Sequence, residues 1–93
     1  MSFINKQTAT LTNVASSASS VTLFAANGSA RGRAIFNDST AVLYVKFGAT
    51  ASTSSYTVQL ASNGYYEFPQ LIFGGRVDGI WAAANGNARL TEW

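Results

Sequence analysis

Apolar and polar residues alternate in short runs along most of this chain, with the period of two that is typical of β-strands. The run at residues 41–47 shows the pattern most clearly. Leu43, Val45 and Phe47 would share one face of a strand there, and the residues between them would share the other. The sequence therefore predicts a strand at 41–47 with one buried face.

Similar runs recur at the spacing expected of an all-β sandwich or barrel. Strands are predicted at residues 21–25, 32–37, 55–60, 65–68, 76–82 and 88–93. In the run 55–60, Tyr56 is expected on the same face as Val58 and Leu60. Gly79 interrupts the run 76–82, which indicates a bulge or a close approach of another chain segment. No run is long enough for a stable helix.

Turn signals separate these runs. Asn-Gly pairs occur at 27–28, 63–64 and 85–86. Because Asn-Gly favours positive φ, each pair predicts a hairpin turn. Another turn is predicted at 38–40, with Asp38 capping it. The expected fold is all-β, a single antiparallel β-sandwich of about seven or eight strands, either immunoglobulin-like or jelly-roll.

The first twenty residues differ from the rest, because they are rich in Ser and Thr and carry only a weak strand pattern. We expect residues 1–20 to form an N-terminal arm or an edge strand, and residues 21–93 to form the β-sandwich domain. The chain of 93 residues suits one domain. We expect no membrane partner, because no apolar run reaches transmembrane length and the start lacks a signal-peptide pattern.

Catalytic residue types are scarce. The chain has no histidine and no cysteine, and its four acids are far apart in sequence: Asp38, Glu67, Asp78 and Glu92. We therefore expect no catalytic, cofactor-binding or metal-binding residues, and no enzyme activity. A calcium site at Asp38 or Asp78 is not expected, because neither residue has a second carboxylate nearby in the sequence. A glycosidase-like pair of Glu67 and Glu92 would need folding to bring them together, and a small hydrolase ranks third among the possible functions.

Charge is low for a free protein. Charged residues make up 11% of the chain, compared with about 25% in average domains, and the net charge is +2. Arg31 and Arg33 are the only closely spaced cations, so a nucleic-acid partner is not expected. A surface of Ser, Thr, Asn, Gly and Ala resists association poorly. The composition therefore favours permanent assembly, including homo-oligomerisation.

Aromatic residues are the candidate binding groups. Tyr65, Tyr66 and Trp93 could contribute to a subunit interface or form a platform for sugar rings. Trp81 is expected in the core. Exposed, coplanar aromatic rings would favour the sugar platform, whereas a buried edge or arm would favour an interface.

Several segments resemble small structural proteins of tailed bacteriophages: residues 14–17, 23–27, 31–35, 37–48, 64–69 and 78–86. The resemblance covers most of the chain from residue 14 onwards. It implies a virion β-sandwich without catalytic residues, placed on the capsid as a decoration or cement protein. Its partners would be the major capsid protein or other virion proteins. The alternative is a carbohydrate-binding or attachment module of the tail or fibre, with a glycan as its ligand.

Overall fold

Eight strands in two antiparallel sheets make up the part of the chain that the structure describes. The computed structural model describes residues 6–93, and no helix occurs in that range. The strands are β1 (Thr10–Ala15), β2 (Val21–Phe24), β3 (Arg33–Ser39), β4 (Leu43–Phe47), β5 (Val58–Leu60), β6 (Tyr65–Glu67), β7 (Val77–Trp81) and β8 (Gly86–Glu92). The prediction of an all-β sandwich is therefore confirmed.

The order of the strands identifies the type of sandwich. The first sheet has the order β1-β8-β3-β6, and the second has the order β2-β7-β4-β5. Consecutive strands lie in different sheets everywhere except at β4 and β5. This is the strand order of a jelly roll. The sequence left two architectures open, immunoglobulin-like and jelly-roll, and the strand order is that of the jelly roll.

The Asn-Gly pairs do not close hairpins, so this prediction is wrong. The pairs at 27–28, 63–64 and 85–86 connect β2 to β3, β5 to β6 and β7 to β8, and each connection passes from one sheet to the other. Positive φ is still used, at Asn63 (65°) and at Gly86 (106°). The physical reason is that Asn-Gly specifies a local turn, whereas burial of distant strands decides which strands pair.

Two further predictions need correction. The turn expected at 38–40 begins later, because β3 runs through Ser39 and Asp38 lies opposite Asn87 in β8. Tyr56 does not share a face with Val58, since β5 begins only at Val58. Its ring instead packs edge-on against Tyr44, with the ring centroids 5.0 Å apart.

The preceding loop explains the position of Tyr56. Lys46 donates to the Ser55 hydroxyl at 2.7 Å, and the Phe47 amide donates to the Thr57 hydroxyl at 2.9 Å. One backbone bond to β4 remains, from the Thr57 amide to the Val45 oxygen at 2.6 Å, but regular pairing with β4 begins only at Val58. The alternating pattern of the sequence therefore continues where the strand does not.

The core lies between the sheets. Its buried apolar residues are Leu23, Phe24, Ile35, Leu43, Val45, Leu60, Phe68, Val77, Trp81, Ala88 and Leu90. Gly79 faces this core, and a Cβ there would lie 2.8 Å from Cδ1 of Leu23. The predicted close approach at Gly79 is confirmed, because the leucine occupies the space that a side chain would need.

Strand β3 also sends polar side chains into the interior. Arg33 is fully buried, and its Nε donates to Glu92 at 2.8 Å. Its two terminal nitrogens donate to the backbone oxygens of Ala25 (2.8 Å), Phe73 (2.9 Å) and Gly75 (2.7 Å). One guanidinium thus fixes the β2–β3 and β6–β7 connections at one end of the sandwich.

Asn37 holds the connections at the other end of β3 by hydrogen bonds to their backbone oxygens. Its amide nitrogen donates to the backbone oxygens of Ala41, Leu60 and Ala61 at 2.8–3.1 Å. Its amide oxygen accepts from the Ser39 hydroxyl and, at 3.2 Å, from the indole of Trp81 in the opposite sheet. The side chain therefore holds the β3–β4 and β5–β6 connections and joins the two sheets.

We predict that Arg33→Met lowers the free energy of unfolding by about 3–5 kcal/mol, because it removes the cation paired with Glu92, which keeps only the Asn27 amide as a donor, and leaves three connection carbonyls without the guanidinium. The matched control is Arg89→Met. Arg89 also binds a carboxylate, Asp38, at 2.7 Å, but both side chains are largely exposed. Its loss should cost about 0–1 kcal/mol. Urea denaturation of both variants measures the difference, and equal effects would contradict the role assigned to Arg33.

Candidate functional site

Each of the four acids has a polar partner of its own. Asp38 pairs with Arg89, and Glu92 pairs with Arg33. Asp78 is buried and accepts from Arg76 at 2.8 and 3.1 Å. This hydrogen bond, together with the charge of Asp78, raises the pKa of Arg76. These contacts make three of the acids structural partners of arginines, whereas the fourth, Glu67, accepts a hydrogen bond from the Tyr65 hydroxyl.

The acids are not brought together by folding. Glu67 lies opposite Ala34 and Glu92 lies opposite Arg33, and neighbouring residues of β3 project to opposite faces of the sheet. The two glutamates therefore sit on different sides of the first sheet. Within residues 6–93, no group of three or more acidic side chains is close enough to hold a metal ion.

The closely spaced cations do not form a basic patch. Arg31 is exposed, whereas Arg33 is buried beneath the connections described above, with its guanidinium 4.9 Å from the centre of the Phe24 ring. Sequence analysis missed this role of Arg33. A signal was present, because Arg33 and the core residue Ile35 are two positions apart and so share a face.

The three candidate aromatic residues do not form one platform. Tyr66 points into the sandwich, where it packs against Phe47 and Phe68 with ring centroids 6.5 and 5.6 Å apart. Tyr65 points outward and is 60% exposed. Trp93 also lies on the outer side, but four positions along β3 from Tyr65, which corresponds to about 14 Å.

Tyr65 is bound to a neighbour on its own strand. Its hydroxyl donates to Glu67 at 3.3 Å. Partial desolvation of the phenol and the nearby Glu67 carboxylate raise the pKa of Tyr65. The phenol is therefore a neutral donor at neutral pH, within a surface that also carries the Arg89–Asp38 pair.

Trp93 packs on its own chain. Its backbone amide donates to the Gly32 oxygen at 3.0 Å, and the Gly32 amide donates back at the same distance. The indole covers Gly32 so closely that any Cβ at this position would collide with the ring. Trp93 therefore seals the outer side of β3 and β8, and it is only half-buried.

Exposed apolar side chains lie at other places. Leu71, in the connection from β6 to β7, is 97% exposed, and Leu11, in β1, is 75% exposed. Phe73 and Tyr56 are exposed to a smaller extent. From the sequence, Leu11 was expected only on one side of a short strand at residues 8–12, and neither leucine was predicted to be a binding group. The reason is that a single exposed apolar residue leaves no periodic pattern. These side chains are the apolar contacts that the described surface offers to another molecule.

The residues expected to form an arm or edge strand include β1. Thr10–Ala15 pairs along its whole length with β8, so it forms one edge of the first sheet. Val14 is half-buried and packs against the core. Residues 1–5 of that predicted segment lie outside the described residues.

In the described range 6–93, no helix is long and apolar enough to cross a membrane. Comparisons with protein-family models, with curated proteins and with solved structures found no match. The geometry of the surface therefore carries the functional argument.

We predict that Gly32→Ala displaces the Trp93 ring, because the added methyl group would occupy its position. Overpacking of this kind typically costs about 1–3 kcal/mol. Acrylamide quenching should rise as Trp93 becomes accessible, while the buried Trp81 contributes equally in both proteins. Gly28→Ala is the control, since a Cβ there meets no atom within 4 Å. Unchanged quenching in Gly32→Ala would contradict the packing of Trp93 on Gly32.

Proposed function

We propose that this chain is a structural, non-catalytic virion protein of a tailed bacteriophage, which decorates or cements the capsid through protein–protein contacts. The observation that carries the proposal is a jelly roll with a surface almost free of unpaired charge. Six of the ten charged side chains are engaged in three ion pairs. Two more, Lys46 and Glu67, have hydroxyl partners.

Such a surface suits burial against another protein. Hydroxyl and amide groups lose less free energy than charged groups when they leave water, provided that they find hydrogen-bond partners. A surface poor in charge also protects a free monomer weakly against association. The exposed Leu11 and Leu71 add apolar contact area at two separate places.

The virion location is supported by the resemblance of the sequence segments to small phage structural proteins. The fold adds a second, weaker support, since jelly rolls recur in viral capsid proteins. This support is an analogy, because one fold hosts many functions. On a capsid, many copies act at once, so weak contacts are reinforced by multivalency and add stability to the assembled shell.

The alternative is a carbohydrate-binding or attachment module at the tail. It is favoured by the exposed Tyr65 and by the use of jelly rolls in lectin domains. A stacking platform needs aromatic rings side by side, and Tyr66 and Trp93 lie elsewhere. The alternative therefore ranks second. Binding of glycans in an array, lost on Tyr65→Ala, would raise it above the first proposal.

We predict that the protein stays on its particle when salt is raised from about 0.1 M to 1 M. This change shortens the Debye length from about 10 Å to 3 Å and screens exposed charge contacts, whereas apolar and neutral polar contacts persist. Quantitative mass spectrometry of purified particles of the phage that encodes the chain, before and after the salt wash, measures retention. The result that would contradict the proposal is absence from the particles. Release by salt alone would show electrostatic attachment, and Arg31, the exposed member of the Arg31–Arg33 pair, would then be the first residue to test.

A further inference from the structure

The edges of the two sheets differ in how well they are protected against pairing with another chain. The pairing of β2 with β7 is irregular between Thr22 and Phe24, and β5 has only three residues. Strand β6 also has three residues, includes Glu67 and is soon followed by Pro69. Short length, bulges, charge and proline all discourage edge pairing. Strand β1 has none of these features, since it has six residues in unbroken register with β8.

Half of the backbone groups of β1 point away from β8. The Ser16 amide donates to the Gly86 oxygen at 3.0 Å, directly after the last pair of the β1–β8 ladder. Hydrogen-bonded pairs alternate in an antiparallel ladder, so Thr10, Thr12 and Val14 bond to β8. The amides and carbonyls of Leu11, Asn13 and Ala15 then face outward. Within residues 6–93, no strand pairs with this side of β1.

We propose that β1 pairs antiparallel with β1 of a second copy of this chain, about a two-fold axis at Asn13. The two first sheets would then join into one continuous sheet across the dimer. This inference rests on the proposed function in one respect, since it names the contact through which copies of an assembling protein associate.

A second copy fits this edge because the strand is uncharged. A two-fold contact places a strand against itself, so any charge near the axis would face its own like charge. The residues of β1 are Thr, Leu, Thr, Asn, Val and Ala. None of them is charged, so a β1–β1 contact brings no like charges together. Thr and Val also favour strands.

The register follows from the outward-facing groups. With the axis at Asn13, Leu11 of one copy lies opposite Ala15 of the other, and Asn13 lies opposite its counterpart. All three outward-facing residues of both copies are then used, giving about six hydrogen bonds between the chains. The exposed Leu11 gains an apolar neighbour. The contact is smaller than a standard interface of about 1,600 Å², so dimerisation should depend on concentration and be reinforced at high local copy number.

Cysteine cross-linking tests both the contact and its register, because the chain has no cysteine of its own. In Asn13→Cys the two facing Cα atoms would be about 5.5 Å apart, within the range that a disulfide spans. In Leu11→Cys the two sulfur-bearing residues would lie four positions apart along the strands, at about 14 Å. We expect oxidation to link Asn13→Cys into a dimer and to leave Leu11→Cys unlinked. Equal cross-linking of both variants, or of neither, would overturn the proposal.

A backbone variant tests the hydrogen bonds themselves. Asn13→Pro removes an outward-facing amide but leaves the bonds to β8, since proline is tolerated where an edge amide faces solvent. It should weaken self-association at least about tenfold, a factor that sedimentation equilibrium resolves. Asn13→Ala keeps the amide and should associate like the unsubstituted chain. Circular dichroism checks that both variants retain the sandwich. If Asn13→Pro associates normally, the edge is not the contact.

Two outcomes separate this inference from the proposed function. A chain that stays monomeric at all concentrations but remains on particles would remove the β1 contact and leave the structural role intact. A chain that dimerises through β1 but is absent from particles would contradict the proposed function and leave the β1 contact supported.

Discussion

The buried polar side chains of β3 are the constraint on which the sandwich depends. This jelly roll passes from sheet to sheet at nearly every connection, and at both ends of β3 connection carbonyls accept hydrogen bonds from its buried polar side chains. Arg33 supplies donors at one end and Asn37 at the other. A buried carbonyl without a donor costs about 1–3 kcal/mol. Among the described residues, no buried side-chain nitrogen or oxygen lacks a partner.

The sequence predicted which segments become strands better than it predicted how they pair. The apolar pattern located β4 and β7 well, because the core-facing residues of both strands are apolar or glycine and the pattern records their burial. The prediction of hairpins at the Asn-Gly pairs was wrong, because a turn signal is local, whereas the choice of partner strand depends on the whole core. The sequence shows Arg33 only as one of two closely spaced cations, and a charged residue is rarely fully buried unless it is paired. Its partners are backbone atoms and Glu92, distant in sequence, and no local pattern reveals them.

Local sequence patterns were also insufficient to predict how the candidate aromatic residues are arranged. Tyr65 and Tyr66 are adjacent, so strand alternation alone requires them to point in opposite directions. Trp93 could not be placed from the sequence, because its position depends on Gly32 and on the pairing of β3 with β8. Most charges pair with one another, and Tyr66 and Trp93 pack on their own chain, so the remaining described surface is largely neutral and hydroxyl-rich, with Tyr65 and isolated leucines exposed. We propose that this surface packs against other proteins.

An electron cryo-microscopy map of the particles on which we propose that the chain resides tests the account most directly, because the central claim is one of position and contact. The account predicts density for this jelly roll at the particle surface, bridging capsid subunits with little charged contact. A map that shows the shell without this density, or that places the chain on the tail with Tyr65 facing a receptor, would contradict the capsid role.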